Sequence, residues 1–187
     1  APTGTAGGDL AGTYPNPTVA ATHSGSAHPT AGERTWLTNG LAGQVAFPAT
    51  QAASADANTL DDYEEGTWTP AIAFGGAAVS VTYSTQAGRY TKVGRLVHVQ
   101  GNFTLTSNGS STGSATVTGL PFAVGTVDSS VAIGRCDNVT FLTVPQGLFE
   151  AGTSIIDLYD TNGATGALAA LDDTNFPDTA RLWVAGA

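Results

Sequence analysis

The chain has almost no lysine, a single cysteine and no methionine, and each shortage excludes something. Lys92 is the one lysine, 11% of the residues are charged, and the formal net charge is -9. Nucleic-acid binding needs clustered cations to displace phosphate counterions, and here the arginines are spread along the chain, so no nucleic-acid partner is expected. Insertion into, or adhesion to, an anionic membrane is not expected either. No run approaches the roughly 20 apolar residues of a spanning helix, and the first residues lack the basic and apolar regions of a secretory signal. A lone Cys136 excludes an intrachain disulfide and a Cys-based metal site. Within Val131-Ala-Ile-Gly-Arg-Cys136 it reads as a small buried hydrophobe and not as a reactive thiol. The lack of methionine even at position 1 reads as a processed chain or a piece of a longer polypeptide.

What is present is β-like. The chain is 41% hydrophobic with 24 glycines and 9 prolines, so its surface must be covered with Thr, Ser, Asn and Gly. Those residues suit strands and tight turns. In Arg95-Leu-Val-His-Val-Gln-Gly-Asn-Phe-Thr-Leu-Thr106, Val97, Val99, Phe103 and Leu105 share one face, while His98, Gln100, Asn102 and Thr104 share the other. Val79, Val81 and Tyr83 alternate with polar residues in the same way. Asn108-Gly109 centres a loop before a strand over 114–118. Further strands are expected over 131–136, 139–144, 155–159 and 180–185, with Thr67 to Pro70 opening the first. Many short strands with no long helix between them predict an all-β head, a jelly-roll-like β-sandwich over residues 67–187.

Upstream the pattern differs. Over 1–35, Pro15 and Pro17 hold the chain extended, and Leu10, Tyr14 and Val19 are too sparse to build a core from one chain. That segment reads as a flexible linker or as one strand of a multi-chain shaft. Residues 36–66 read as a connecting arm and joint, with turn signals at Asn39-Gly40 and Ala42-Gly43 and a helical turn over 51–58 that Asp56 or Asn58 would cap.

Few residues invite chemistry. Asp61, Asp62, Glu64 and Glu65 offer paired carboxylates of the type that glycoside hydrolysis uses, but four acids within five residues fit solvated groups, or partners of Arg89, Lys92 or Arg95, better. There is no Gly-x-Ser-x-Gly nucleophile motif and no phosphate-cradling Gly-Lys-Ser/Thr loop. His23 and His28 are too widely spaced for a shared metal site, and no cofactor is expected. Asp157, Asp160 and Asn162, and Asp172, Asp173, Asn175 and Asp178, are oxygen-rich loops in which turn chemistry is favoured over Ca²⁺. If Leu182 and Val184 point inward, Arg181 and Trp183 point out; Ile156 and Leu158 likewise leave Asp157 and Tyr159 outside. An aromatic face beside amides and carboxylates suits a shallow glycan site, for which Trp183, Tyr159, Arg181, Asp157, Asn162 and Asn138 are the candidates. The same residue types also suit a subunit interface.

Five stretches in order carry a resemblance. They are Gly7-Gly-Asp-Leu-Ala-Gly-Thr-Tyr-Pro-Asn-Pro-Thr18 with Gly43-Gln-Val-Ala-Phe-Pro-Ala-Thr50, Leu60-Asp-Asp-Tyr-Glu-Glu-Gly-Thr-Trp-Thr-Pro70, Gly88-Arg-Tyr-Thr-Lys-Val-Gly94 and Gly119-Leu-Pro-Phe122. Together they resemble bacteriophage and prophage tail-fibre proteins, with part of the shaft followed by the C-terminal receptor-binding domain. The resemblance implies a homotrimer whose stalk buries together what one chain cannot. It also implies a virion, extracellular location, attachment to other virion proteins through the N-terminal side, and non-enzymatic binding of a bacterial surface polysaccharide. Two other readings remain open at this point: a head- or neck-attached fibre that mainly trimerises, and a polysaccharide depolymerase. About 120 residues after the joint leave little room for the long β-helix that depolymerases usually carry.

Overall fold

A computed structural model describes residues 10–11, 18–19, 47, 49–51, 53–56, 58–161 and 166–187. The chain divides into two units, Ala1–Pro48 and Ala49–Ala187. In the first, β1 (Leu10–Ala11) pairs antiparallel with β2 (Thr18–Val19), Leu10 opposite Val19. The expected shaft prolines, His23 and His28, and most of 35–48 lie outside the described residues.

The second unit is all-β. Its strands are β3 (Tyr63–Trp68), β4 (Ala71–Phe74), β5 (Thr82–Val93), β6 (Leu96–Ser107), β7 (Ala115–Thr118), β8 (Ser129–Asp137), β9 (Pro145–Phe149), β10 (Ile156–Thr161), β11 (Leu168–Ala170) and β12 (Arg181–Gly186). Among the described residues the single helical piece is a 3₁₀ turn at Asp173–Asn175. The ten strands form one antiparallel sheet in the order β3-β5-β6-β12-β8-β9-β10-β7-β4, with β11 on β10. Its two edge strands, β3 and β4, are consecutive in the chain and separated by Thr69 and Pro70 alone. The sheet must therefore curl until its edges meet at that corner. Pro70 suits the position because it has no N–H to give a ladder, and its carbonyl accepts from Gln86 Nε2 at 2.9 Å.

Curling places one face inside. Ile72 and Phe74 of β4, Val99, Phe103 and Leu105 of β6, Val117 of β7, Ile156 and Leu158 of β10 and Leu182 and Val184 of β12 form a continuous buried core. The period-two reading of β6 is borne out: Val99, Phe103 and Leu105 are buried, and His98 and Gln100 are exposed. Gly75 and Gly76, both at positive φ (58° and 81°), close the β4 end in a two-residue turn in which Phe74 and Ala77 exchange backbone hydrogen bonds.

Three strand expectations need correction. Trp68 ends the first long strand instead of opening it. Residues 79–81 are not strand: Ser80 sits at φ 60°, and Val79 is exposed, with its carbonyl taken by the Ser110 N–H at 3.0 Å. Residues 139–144 are loop, because their backbone donors are claimed elsewhere. Thr140 N–H donates to Asn175 O at 2.9 Å, and the Leu142 and Thr143 N–H groups donate to the Asp160 carboxylate. The strand begins at Pro145 instead.

Candidate functional site

The acidic stretch is an edge strand with each acid engaged. β3 pairs with β5 from Tyr63 opposite Val93 to Trp68 opposite Gly88, and Asp62, just before β3, is buried and ion-paired with Lys92. Glu64 accepts from the Tyr90 hydroxyl and Glu65 from the Tyr63 hydroxyl. Asp61 accepts the Ser54 N–H at 3.0 Å, which holds its carboxyl below the ordinary range. Reading these acids as structural partners, with Lys92 among the cations, matches the geometry.

The residues that carry the sequence resemblance converge here. Trp68 is 6% exposed, and its indole N–H donates to Gln100 O at 3.0 Å. The ring lies over Gly88 and Gly101, facing strand residues at which any Cβ would come within 2.5 Å of the indole. Gly119, at φ 88°, approaches Thr69 O just as closely, leaving 2.4 Å for a Cβ. Three residues on, Phe122 meets the Tyr90 ring edge-on at 5.2 Å, with Lys92 Nζ 5.1 Å from its centroid. These motifs build one corner of the fold.

The proposed ligand-contacting residues do not gather in one place. Arg181 and Trp183 do project from the outer face of β12, while Leu182 and Val184 are buried. Asp157 and Tyr159 project from the outer face of β10, 3.5 Å apart between Tyr159 Oη and Asp157 Oδ2. Strands β8 and β9 stand between β12 and β10 in the sheet. Asn138 is a turn residue: it adopts φ 55°, and its Nδ2 lies 3.4 Å from both Thr179 oxygens. Such left-handed backbone is a position at which asparagine is favoured among non-glycine residues. Asn162 lies outside the described residues. Burial raises the Asp157 carboxyl, the Tyr159 hydroxyl opposes it, and the charge of Asp128 adds to the rise.

Around Trp183 a surface does form. Thr67, Arg89, Gln100 and Ala185 make one cross-strand row on the outer face, and Ala87, Asn102, Trp183 and Arg135 make the next. Small residues on the floor, among them Ala87, Ala132, Gly134 and Ala185, leave a trough of about 770 Å³ with Trp183 on its wall. The Arg135 guanidinium stacks 4.9 Å from the indole centroid and pairs with Asp137 at 2.5 Å. The trough is lined from β3, β5, β6, β8 and β12, and Arg89, Gln100 and Asn102 were missed as ligand contacts because only register brings them beside Trp183. A smaller apolar cavity of about 150 Å³ lies elsewhere, between Val97, Leu120, Phe122 and Phe149.

The oxygen-rich loops serve the backbone. Asp160 is buried at the inner face of β10. Burial alone would raise its carboxyl, but donors from Leu142 and Thr143 outweigh that and hold it below 3.8. Asp172 caps the 3₁₀ turn in a capping box with Asn175. Asp173 accepts from Gly113 N–H at 2.8 Å and Asp178 from Asn108 N–H at 2.9 Å. Among the described residues no three His, Cys, Asp or Glu side chains come together as a metal site. Cys136 is half-buried against the core, and burial with the charge of Asp137 pushes its thiol up to about 11.

No known protein family matches the chain, and no curated protein does. The fold is similar to part of a solved one, the crystal structure of the Dettilon tailspike protein, gp208. The TM-score is 0.56 at 17% sequence identity, over 66% of this chain. The match spans 23% of the tailspike chain, so it concerns a segment of that protein. What this likeness establishes is an all-β fold shared with a stretch of a phage tailspike.

Proposed function

We propose that this chain is the receptor-binding part of a phage tail fibre, and that it attaches the virion to a bacterial surface glycan without cleaving it. The observation that carries the reading is the Trp183 trough: an indole wall over a floor of alanine and glycine, edged by Gln100 and Asn102. A pyranose ring lays its C–H face on an indole, and neighbouring amides bond its hydroxyls. The fold likeness to a tailspike segment supports the setting. In this reading the curled sheet is a jelly-roll-like head, three copies assemble on a shaft made by residues 1–35, and residues 36–66 form the arm that ends in β3. Other virion proteins bind the N-terminal side, and the protein is extracellular on the virion. Binding of the purified chain to a glycan array and to host cells tests the proposal. Trp183→Ala should weaken the binding tenfold or more, and a wild-type chain that binds neither would sink the proposal.

A second reading rests on Asp157. Its carboxyl stands on the outer face of β10 within 3.5 Å of the Tyr159 hydroxyl, and burial raises it, the direction that a general acid in a depolymerase needs. Release of reducing ends from host polysaccharide, lost in Asp157→Asn, would favour that reading over simple adhesion.

A further inference from the structure

We infer that the Trp183 trough takes an acidic polysaccharide, one whose pyranose rings carry carboxylates, as uronic acids do. The inference rests on the glycan reading above and narrows it. Its basis is where the few cations stand. The described residues include five cations in a chain of formal net charge -9. Three of them, Arg89, Arg135 and Arg181, project from the same outer face of β5, β8 and β12. Arg89 lies opposite Gln100, Arg135 opposite Trp183, and Arg181 two residues from Trp183 along the same strand.

With strands about 4.8 Å apart and about 3.4 Å of rise per residue, Arg89 and Arg181 sit roughly 12 Å and 7 Å from Trp183 along the sheet. That is a spacing of one or two sugar units. Both guanidinium groups are exposed and make no ion pair among the described residues. Of the acids on this face, Asp137 pairs with Arg135, Glu65 accepts from the Tyr63 hydroxyl, and Asp157 stands on β10 with β8 and β9 between it and β12. A mostly acidic protein thus presents one locally cationic face, with two forked donors free beside an aromatic wall.

Guanidinium groups bind carboxylate and phosphate alike in a bidentate manner. The indole decides between the two sources, since a sugar ring has a face to stack on it and a polyol-phosphate chain has none. A second copy of this chain is the competing occupant. It also carries net negative charge, but it offers no pyranose face to lay on the indole, and the oligomer arm of the test separates the two.

The test uses the whole chain and immobilised alginate, polygalacturonate and hyaluronan, each beside its carboxyl-reduced counterpart, with poly(glycerol phosphate) as a further arm. At least one native polymer should bind, with affinity falling tenfold or more on carboxyl reduction and falling again between 50 and 300 mM NaCl. Arg89→Gln/Arg181→Gln should lose that preference for the charged polymer while the thermal midpoint stays unchanged. Equal binding of native and reduced polymers overturns the acidic assignment and leaves the glycan reading intact. Poly(glycerol phosphate) bound as tightly as a uronate overturns the ring-stacking argument. Dissociation of an oligomer in Arg89→Gln/Arg181→Gln makes the face a subunit interface and overturns the inference. Failure of all six polymers overturns it too, and the array of neutral and charged glycans then decides the broader reading separately.

Discussion

The corner around Trp68 and the face around Trp183 each centre on a tryptophan, and they are assembled in opposite ways. At the corner the indole is buried over paired glycines, and its neighbours come from contiguous motifs that zip together as β3 and β5. On the face the indole is partly exposed, and its neighbours arrive in short pieces from five strands that only the register brings side by side. The corner therefore leaves a continuous signature in the sequence, and the face as a whole does not. The two regions share the β3–β5 ladder, with Thr67 and Arg89 on its outer side and Trp68 and Gly88 on its inner side.

Substitutions should separate the two regions, beginning with the largest effect. Trp68→Ala removes a buried aromatic and leaves Gly88 and Gly101 facing a void, so it should cost about 3–5 kcal/mol in urea unfolding and take all binding with it. Gly101→Ala acts on the same ring from below. Its Cβ would meet the indole at 2.5 Å, and the forced displacement should cost about 1–3 kcal/mol, as the urea midpoint will show.

Asp160 tests a third place through pH. Its folded carboxyl titrates below the ordinary value of 3.8, so its contribution is present above that pH and is lost as pH falls through the folded value. Wild type should therefore lose more stability than Asp160→Asn when unfolding is compared at pH 7 and pH 2.5. Trp183→Ala should shift stability by about 1 kcal/mol or less while reducing glycan binding tenfold or more, which is the reverse of the Trp68 pattern. Smallest of all, alkylation of Cys136 at pH 8 should be slow in the folded chain and speed up in urea, because the thiol is pushed up to about 11 only while it is packed.

Much of the fold was legible. The alternation in 95–106 gave β6 with the correct inward face, and the inward placing of Leu182, Val184, Ile156 and Leu158 followed from the same period. Where the reading failed, side chains had taken the backbone's partners. Residues 139–144 are rich in β-branched and aromatic side chains, as a strand would be, but the Asp160 carboxylate binds the Leu142 and Thr143 N–H groups, and nothing local in the sequence announces a carboxylate eighteen residues away. Asn138 read as a ligand group because turn chemistry and ligand chemistry use the same side chains. Of the candidate site, Trp183 and Arg181 were found from strand parity. Arg89, Gln100 and Asn102 were not, since their place beside Trp183 depends on two strand registers that no single stretch encodes.

The meeting of the two sheet edges at Pro70 also has a mechanical side. A pull applied at the Tyr63 end of β3 runs along the strand axis, perpendicular to the inter-strand hydrogen bonds of its six-residue ladder with β5. The ladder is then loaded in shear, all its bonds together, instead of being peeled open one at a time. Past Trp68 the tension turns the corner at Pro70 and passes into β4, at the other edge of the same sheet. A particle tugging on this chain would have to slide a whole edge strand past its neighbour, with Trp68 wedged over two glycines as the catch.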